Sequence, residues 1–585
     1  MKIVNVKKIV VSVLILCMAT FALARDPIAV AEITSGNAFS ANVTALAQMV
    51  NVPFLAMGVN AWLSNVTHCP NMAGVDMNKP IKFVVWLDDD GKGIGFTVVT
   101  SIVDAGETLG TAFKAVYGKT EETEGILALQ EAKLPGAIKL NVAFVDNLAV
   151  IGEERKFVAD TVTAIKNKKL PSVAAISGTV KVSINIPEVV PWADKSLTEI
   201  VNDLAGMTEG RAVDQKAMAV DTLKQIKELS LGLSIDASGL TVYSRIDPIA
   251  NTKIAEFFSK FTPVDQRYSR LLPEKSLFAF SFTGMDAADL FTEFYMKSFE
   301  NAADDLGLGK AEMSAYIKNF NEAMKNQFRG ACAGALASTG NDSQLEFVEI
   351  CAIKDEAITR AAVYSNQTNA SAIFGQSGVQ EHLKGVKIQI EPGKSRMHEG
   401  IEIFPVKYAL VLPDDKRKEV PAPLLQFLEN LSYEYATVNG HLVTVFGVQD
   451  GTTKTMEKTV DKLKNFAAIT DGSKICKLFP EMVAVDPVGE WQVSLSDFLI
   501  YIGKLSGKLT PEIMAMLPPQ TGEGLGAINL RKGEALFGAF RLSASEIKWL
   551  TQASAAGRQA IIGNQAPNRN QNNNVPAIEV PPHMQ

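Results

Sequence analysis

Histidine and cysteine are scarce in this chain of 585 residues, which contains five of each. The histidines are His68, His382, His398, His441 and His583. They form no H-x-x-x-H or H-E-x-x-H arrangement, and none stands at zinc-ligand spacing from a cysteine pair. The G-x-S-x-G motif of a nucleophile elbow is absent as well. The absence of these motifs argues against the common zinc sites and serine hydrolases, and it predicts that the chain is not an enzyme.

Clusters of basic residues are also missing, and the formal net charge is −7. Binding to a phosphate backbone depends on Lys and Arg contacts, so the composition argues against a nucleic-acid partner.

Two segments resemble ligand loops but lack the residues that such loops need. The segment Asp88-Asp89-Asp90-Gly91-Lys92-Gly93 suggests a calcium loop, yet Lys92 stands where an oxygen ligand is required. Gly91, Gly93 and Gly95 resemble part of a dinucleotide loop, but a predicted strand follows them where such a loop requires a helix N-terminus. The sequence therefore predicts no metal and no cofactor.

The first 24 residues have the composition of an export signal. Lys2, Lys7 and Lys8 form a positive start, Ile9 to Leu16 form an apolar centre, and Ala22-Leu23-Ala24 provides the small residues for cleavage before Arg25. Loss of three lysines takes the net charge from −7 to −10. We expect an exported chain, periplasmic or extracellular, with no integral membrane span after cleavage.

A sequence pattern occurs twice in the chain. AFVDNLAVIGEERKFVADTVTAIKN begins at Ala143, and ATVNGHLVTVFGVQDGTTKTMEKTVDKLKN begins at Ala436. In each copy a two-residue turn, Asp146-Asn147 or Asn439-Gly440, separates two apolar runs, which is typical of a tight hairpin. A helix is predicted after each hairpin, with three apolar residues at i, i+4 and i+7 on its buried face. In the first copy they are Val158, Val162 and Ile165, and in the second Met456, Val460 and Leu463.

These patterns predict an α+β fold that is internally duplicated, with two halves of curved antiparallel sheet formed from hairpins and backed by amphipathic helices. The predicted halves are residues 25–265 and 266–554, and the second carries an insertion around 388–419. Residues 555–585, rich in Asn, Gln and Pro, are predicted to be a disordered tail.

Cys332 and Cys351 are predicted to face each other across a hairpin. With Asn341-Asp342 at the centre of the turn, counting back along the two strands places the two cysteines directly opposite. Neighbours of this kind are close enough for a disulfide in an oxidising compartment, and two buried thiols are the alternative. Cys69 and Cys476 could pair only through a tertiary contact, which the sequence does not define.

No charged residue occurs across the 43 positions between Glu32 and Asp76. Within them, residues 43–63 are as long as a membrane span, but polar residues and Pro53 interrupt the run, which favours a bent and buried helix pair. A core helix is one interpretation, and an apolar pocket wall or a face that binds a partner is another. The residues of the predicted apolar binding face are Val43, Leu46, Val50, Phe54, Leu55 and Trp62.

Together these observations favour an exported, non-catalytic binding or interaction protein of the bacterial cell envelope. Its partner is expected to be an envelope protein or an apolar small molecule. One alternative is a periplasmic carrier or chaperone for lipid-like ligands. The other is a hydrolase whose catalytic residues are dispersed along the chain and meet only in the fold.

Overall fold

The computed structural model describes most of the chain between Pro27 and Gln565. The described residues are 27–87, 94–117, 119–130, 139–170, 173, 176–190, 220–273, 275–282, 328–339, 344–374, 385–469, 478–479, 487–506, 509–521 and 524–565. The predicted signal segment, the Asp88–Gly93 loop, Cys476 and residues 566–585 lie outside them.

The strands of the first predicted half are β1 Ala29–Ile33, β2 Ile81–Leu87, β3 Ile94–Ser101, β4 Lys119–Thr123, β5 Ile126–Gln130, β6 Lys139–Val145, β7 Leu148–Gly152, β8 Val180–Asn185, β9 Ile226–Asp236 and β10 Gly239–Pro248. We call β1–β10 the first section.

The strands of the second predicted half are β11 Ser276–Phe282, β12 Phe328–Thr339, β13 Gln344–Ile353, β14 Lys387–Pro392, β15 Arg396–His398, β16 Ile401–Val411, β17 Leu431–Val438, β18 His441–Val448, β19 Gly489–Val493, β20 Leu525–Lys532 and β21 Ala535–Ser543. We call β11–β21 the second section.

The described helices are α1 Gly36–Met49, α2 Phe54–Met57, α3 Val59–Thr67, α4 Glu107–Val116, α5 Arg155–Lys166, α6 Lys253–Ser259, α7 Tyr268–Leu271, α8 Glu356–Phe374, α9 Asp414–Arg417, α10 Ala422–Glu429, α11 Gln449–Lys464, α12 Leu495–Leu505, α13 Pro511–Met516 and α14 Ala544–Gln565, with residues 186–190 and 220–223 also helical and short 3₁₀ turns at Pro70–Met72 and Phe466–Ala468. The mixture of helices with a large antiparallel sheet confirms the α+β class.

Hydrogen bonds join all 21 strands into one antiparallel sheet. In the first section the strands lie in the order β4-β5-β6-β7-β3-β2-β1-β8-β9-β10. In the second section β16 pairs with both β14 and β15, and the order continues as β16-β17-β18-β13-β12-β11-β19-β20-β21. The two sections join where β10 pairs with β21.

The two segments of the repeated pattern each form a hairpin followed by a helix. Val145 pairs with Leu148 around the first turn, and Val438 pairs with His441 around the second. In the second turn Asn439 and Gly440 have φ values of 49° and 74°, the positive sign that a type I′ turn requires. Helices α5 and α11 follow and pack on their own hairpins.

Each of these two helices buries the face that its apolar spacing indicates. Val158 of α5 is fully buried, and Val162 and Ile165 pack partly buried beside it. The three corresponding residues of α11 are fully buried against the second section. The two helices therefore cover one face of the sheet in their respective sections.

The predicted insertion at 388–419 contains most of β14, with β15 and β16, at the edge of the second section. In the strand order these strands take the position that β4 and β5 hold in the first section. Helix α14 includes residues 555–565, the first part of the predicted tail.

Candidate functional site

Two cysteine side chains meet on the sheet of the second section. Cys332 of β12 and Cys351 of β13 are direct partners in the register, as the sequence predicts, and their Sγ atoms are 2.9 Å apart. Both are buried, with exposed fractions of 8% and 7%. Glu349 lies beside them, with Oε1 3.4 Å from Sγ of Cys332.

The surroundings of this pair hold both thiols in the protonated form. The hydrogen bond with Cys351 raises the pKa of Cys332, and burial and the Glu349 carboxylate raise it further. For Cys351 the hydrogen bond acts in the opposite direction, but burial and Glu349 outweigh it and its pKa is also raised. Because the thiolate is the reactive form, neither thiol is activated as a nucleophile in the folded protein.

A metal ion is the other species that this cluster could hold. The ligand atoms of Cys332, Glu349 and Cys351 lie within 4.8 Å of one another. Two sulfur atoms bound tetrahedrally to one zinc ion at about 2.3 Å would be about 3.8 Å apart. The observed separation of 2.9 Å is well below that distance, so the geometry favours a bond between the sulfur atoms over a shared metal.

The predicted apolar binding face divides among three places in the structure. Val43 and Trp62 pack on the core of the first section, where Trp62 stacks on Phe39 with ring centroids 5.2 Å apart. Leu46 and Val50 contact a cluster that includes residues of β21 and α14. Phe54 and Leu55 lie on the short helix α2.

Helix α2 and its neighbours form a corner that faces solvent. Phe54 is 58% exposed and Met57 is 85% exposed, whereas Leu55 is partly buried. Asn51, with a φ of 52°, interrupts the chain between α1 and α2, and Gly58 separates α2 from α3. Helix α2 contributes no residue to the core cluster that α1 and α3 share.

Helices α1, α12 and α13 all contact the C-terminal helix α14. We call these four helices, together with the α2 corner, the α14 layer. Besides Phe54 and Met57, the layer exposes four large apolar side chains with exposed fractions between 36% and 54%, namely Leu499, Ile502, Met514 and Met516. These four residues were not predicted from the sequence, although a signal is present for α12, which carries apolar residues on its outer as well as its inner face.

A buried carboxylate fixes α12 to α14 within this layer. Glu546 of α14 is fully buried and accepts hydrogen bonds from the backbone N–H of Ser496, at 3.1 Å, and from the hydroxyl of Thr521, at 2.8 Å. Burial raises the pKa of Glu546, and these hydrogen bonds offset part of that effect. The carboxylate lies at the N-terminus of α12, where the helix dipole favours a negative charge.

A polar network secures the hairpin of β15 and β16 to α11. The Arg396 guanidinium contacts Glu457 at 2.6 Å and Glu434 at 2.8 Å, and His398 lies 2.8 Å from Asp461. These residues are distant in sequence and carry no motif, so only the fold reveals the network. His398 is occupied by this structural contact.

Two cavities are lined by described residues. A groove of about 420 Å³ lies at the C-terminal end of α11, lined by Arg270, Asp461, Lys462, Asn465, Ala468 and Ile469. A smaller cavity of about 190 Å³ lies beside β1 and β8, where Ser183, Asn185, Lys227 and Glu228 contribute to the wall. Charged and amide side chains share both linings with apolar residues, which in the smaller cavity include Pro27, Ile28 and Val30. An acyl chain needs an enclosed apolar pocket, and charged side chains stand in both of these walls.

Comparison with protein-family models, with curated proteins and with solved structures finds no match to this chain. Among the described helices, none combines the length and the hydropathy needed to cross a bilayer.

Proposed function

We propose that this chain is an exported, non-catalytic binding protein of the bacterial cell envelope that docks its partner on the α14 layer. The partner expected is an envelope protein. The observation that carries the proposal is the set of large apolar side chains that the layer exposes on α2, α12 and α13. Exposed apolar surface of this kind commonly marks sites of interaction.

The composition of the layer supports a protein partner. Met57, Met514 and Met516 are unbranched and flexible, so they can adapt to the shape of an opposing surface. The Glu546 contact holds α12 in place, which gives the exposed side chains a fixed base. A partner would bind to a preformed surface and would not have to order it.

Export and location rest on the sequence of residues 1–24. The positive start, the apolar centre and the A-x-A site support delivery to the periplasm or to the exterior. A layer of exposed apolar side chains would then face other envelope components.

We also propose that the two sections arose by internal duplication. The strand order supports this, because each section runs from its edge hairpins through the same sequence of pairings to the junction. When the two repeated turns are superimposed and the register is followed strand by strand, Tyr243 corresponds to Ala539. These two residues are also paired with each other at the junction. A junction centred on corresponding residues is what a twofold relationship between two copies produces.

A carrier and a hydrolase are the two alternatives to this proposal. A carrier needs an enclosed apolar cavity, and charged side chains contribute to the lining of both cavities. A hydrolase needs a nucleophile activated by a base. At the smaller cavity the Ser183 and Ser230 hydroxyls donate hydrogen bonds to Glu228, and no histidine of the described residues contacts this group.

Site-specific photo-crosslinking in an exporting host tests the proposed docking surface. A photoreactive side chain is placed at Ile502 or Met516 in the layer, and at Glu534, an exposed residue in the β20–β21 turn, as the matched control. The proposal predicts a discrete crosslinked protein from the two layer positions and none from Glu534. Crosslinks that are equal at all three positions, or absent from both layer positions, would contradict it.

A further inference from the structure

We propose that Cys332 and Cys351 form a disulfide in the exported protein, which joins β12 covalently to β13 in the sheet of the second section. The inference needs passage through an oxidising compartment but does not depend on which partner the protein binds.

The backbone already places the two residues for this bond. They are direct partners in an antiparallel pair, where Cβ atoms are about 4.5–5.5 Å apart. A disulfide needs about 3.5–4.5 Å between Cβ atoms and about 2.05 Å between sulfur atoms. The Sγ atoms are at 2.9 Å, so a shift of about 1 Å completes the bond with no change of register.

The corresponding positions of the first section show what the sheet tolerates without a crosslink. Following the register from the repeated turns, Cys332 corresponds to Ile81 and Cys351 to Thr100, and these two residues are also paired with each other. Both are buried. A crosslink is therefore not a requirement of the architecture, and the cysteine pair is a feature of the second section alone.

Oxidation proceeds by thiol–disulfide exchange with a disulfide-donating oxidoreductase of the compartment. The thiolate of one cysteine attacks a donor sulfur, one donor sulfur leaves as a thiolate, and a mixed disulfide forms. The second cysteine then attacks its partner's sulfur and releases the donor. The chain loses two electrons and two protons, and the donor's disulfide becomes two thiols.

The folded environment determines when this exchange can occur. Both thiols are buried and lie beside Glu349, and α8 contacts β18, the strand that pairs with β13. A donor cannot approach a sulfur in that position. We therefore expect the bond to form while the β12–β13 hairpin is still accessible, and to resist exchange once folding is complete.

Peptide mapping without reduction tests the bond on the full mature chain from an exporting host. Trypsin releases both cysteines in one peptide, Gly330–Lys354, because no Lys or Arg lies between them. After alkylation under denaturing conditions, the proposal predicts that this peptide lacks two hydrogens and carries no alkyl group. A second cleavage at Asp342 or Glu346 should leave two fragments that separate only on reduction. Two alkyl groups on the peptide, or zinc recovered with the protein in equal molar amount, would overturn the proposal.

Reduction of the native and the unfolded protein tests its burial. One concentration of a thiol reductant is applied to the native chain and to the chain in urea, and the same peptide is then alkylated. The proposal predicts no labelling of the native chain and complete labelling of the unfolded one. Equal labelling in the two samples would show that the bond is not enclosed by the fold.

Discussion

Replacing Thr161 by valine should destabilise the first section, whereas the same replacement at Thr459 should have little effect. The two threonines occupy the same place in the repeated Thr-Val pair, on α5 and α11, and both are buried. Their hydroxyl groups have different partners. Thr161 Oγ1 accepts a hydrogen bond from Trp86 Nε1 at 2.9 Å and lies 2.8 Å from Thr97 Oγ1, so it connects α5 to β2 and β3. For Thr459, the structure describes only a hydrogen bond to the carbonyl of Thr455 within its own helix.

The expected magnitudes follow from these contacts. In Thr161→Val the Trp86 N–H keeps only Thr97, at 3.3 Å, and a buried donor that loses its partner costs about 1–3 kcal/mol. That range corresponds to a change of about 5- to 150-fold in the unfolding equilibrium. In Thr459→Val only a bond back along the helix is lost, and such bonds do not stabilise helices, so the change should stay below about 0.5 kcal/mol.

Hydrogen exchange followed by mass spectrometry separates the two variants locally. Thr161→Val should speed amide exchange in β2, β3 and α5 and lower the urea midpoint, while Thr459→Val should leave β18 and α11 at wild-type rates. Equal effects of the two substitutions, or a larger effect at Thr459, would refute the claim that the hydrogen bond from Trp86 to Thr161 stabilises the first section.

Three further predictions concern stability. Leu63→Ala in α3 should lower the free energy of unfolding by about 2–5 kcal/mol, because Leu63 is fully buried. Met57→Ala, at an exposed position, is the control and should change it by less than about 0.5 kcal/mol. Urea denaturation measures both values. Arg396→Met should lower the free energy of unfolding by about 2–3 kcal/mol, because it leaves the buried Glu434 carboxylate without its cation. Arg396 is 28% exposed, which limits the effect. Adding Glu434→Met should restore much of the lost stability. Burial lowers the pKa of His441, so the unfolded chain binds more protons near and below pH 6.5. The stability associated with neutral His441 is fully present above that pH and is lost as the pH falls. In His441→Gln the urea midpoint should therefore decrease less between pH 8 and pH 5 than in the wild type.

The elements that the sequence predicts well are those whose signals are local. Asp146-Asn147 and Asn439-Gly440 specify two tight turns, and the apolar spacing after each turn specifies the buried face of a helix. The pairing of Cys332 with Cys351 could also be predicted, because the register of a hairpin follows by counting from its turn.

What the sequence does not reveal depends on contacts between distant parts of the chain. Leu46 and Val50 carry the same apolar signal as Phe54, yet they are covered by residues of β21 and α14 from the other end of the chain. Phe54 is 58% exposed, because α2 lies outside the core that α1 and α3 share. Burial of an apolar residue is decided by what packs on it, and periodicity alone does not supply that information.

The exposed side chains of α12 and α13 also show that periodicity does not determine burial. Leu499 and Ile502 belong to a helix that is apolar on most faces, which indicates burial on every side. The structure buries one face against α14 and the second section and leaves the other open. The open face of this apolar helix is part of the proposed docking surface.

Native mass spectrometry of the chain from Arg25 to Gln585, isolated gently from the envelope of an exporting host, tests the central claim most directly. The wild type should carry the mass of a bound protein, and the variant with Ile502→Ser and Met516→Ser should appear at its own mass alone. A lipid-sized mass that is lost on organic extraction would instead identify a carrier. A wild type that appears only at its own mass, or a bound protein retained unchanged by the variant, would contradict docking on the α14 layer.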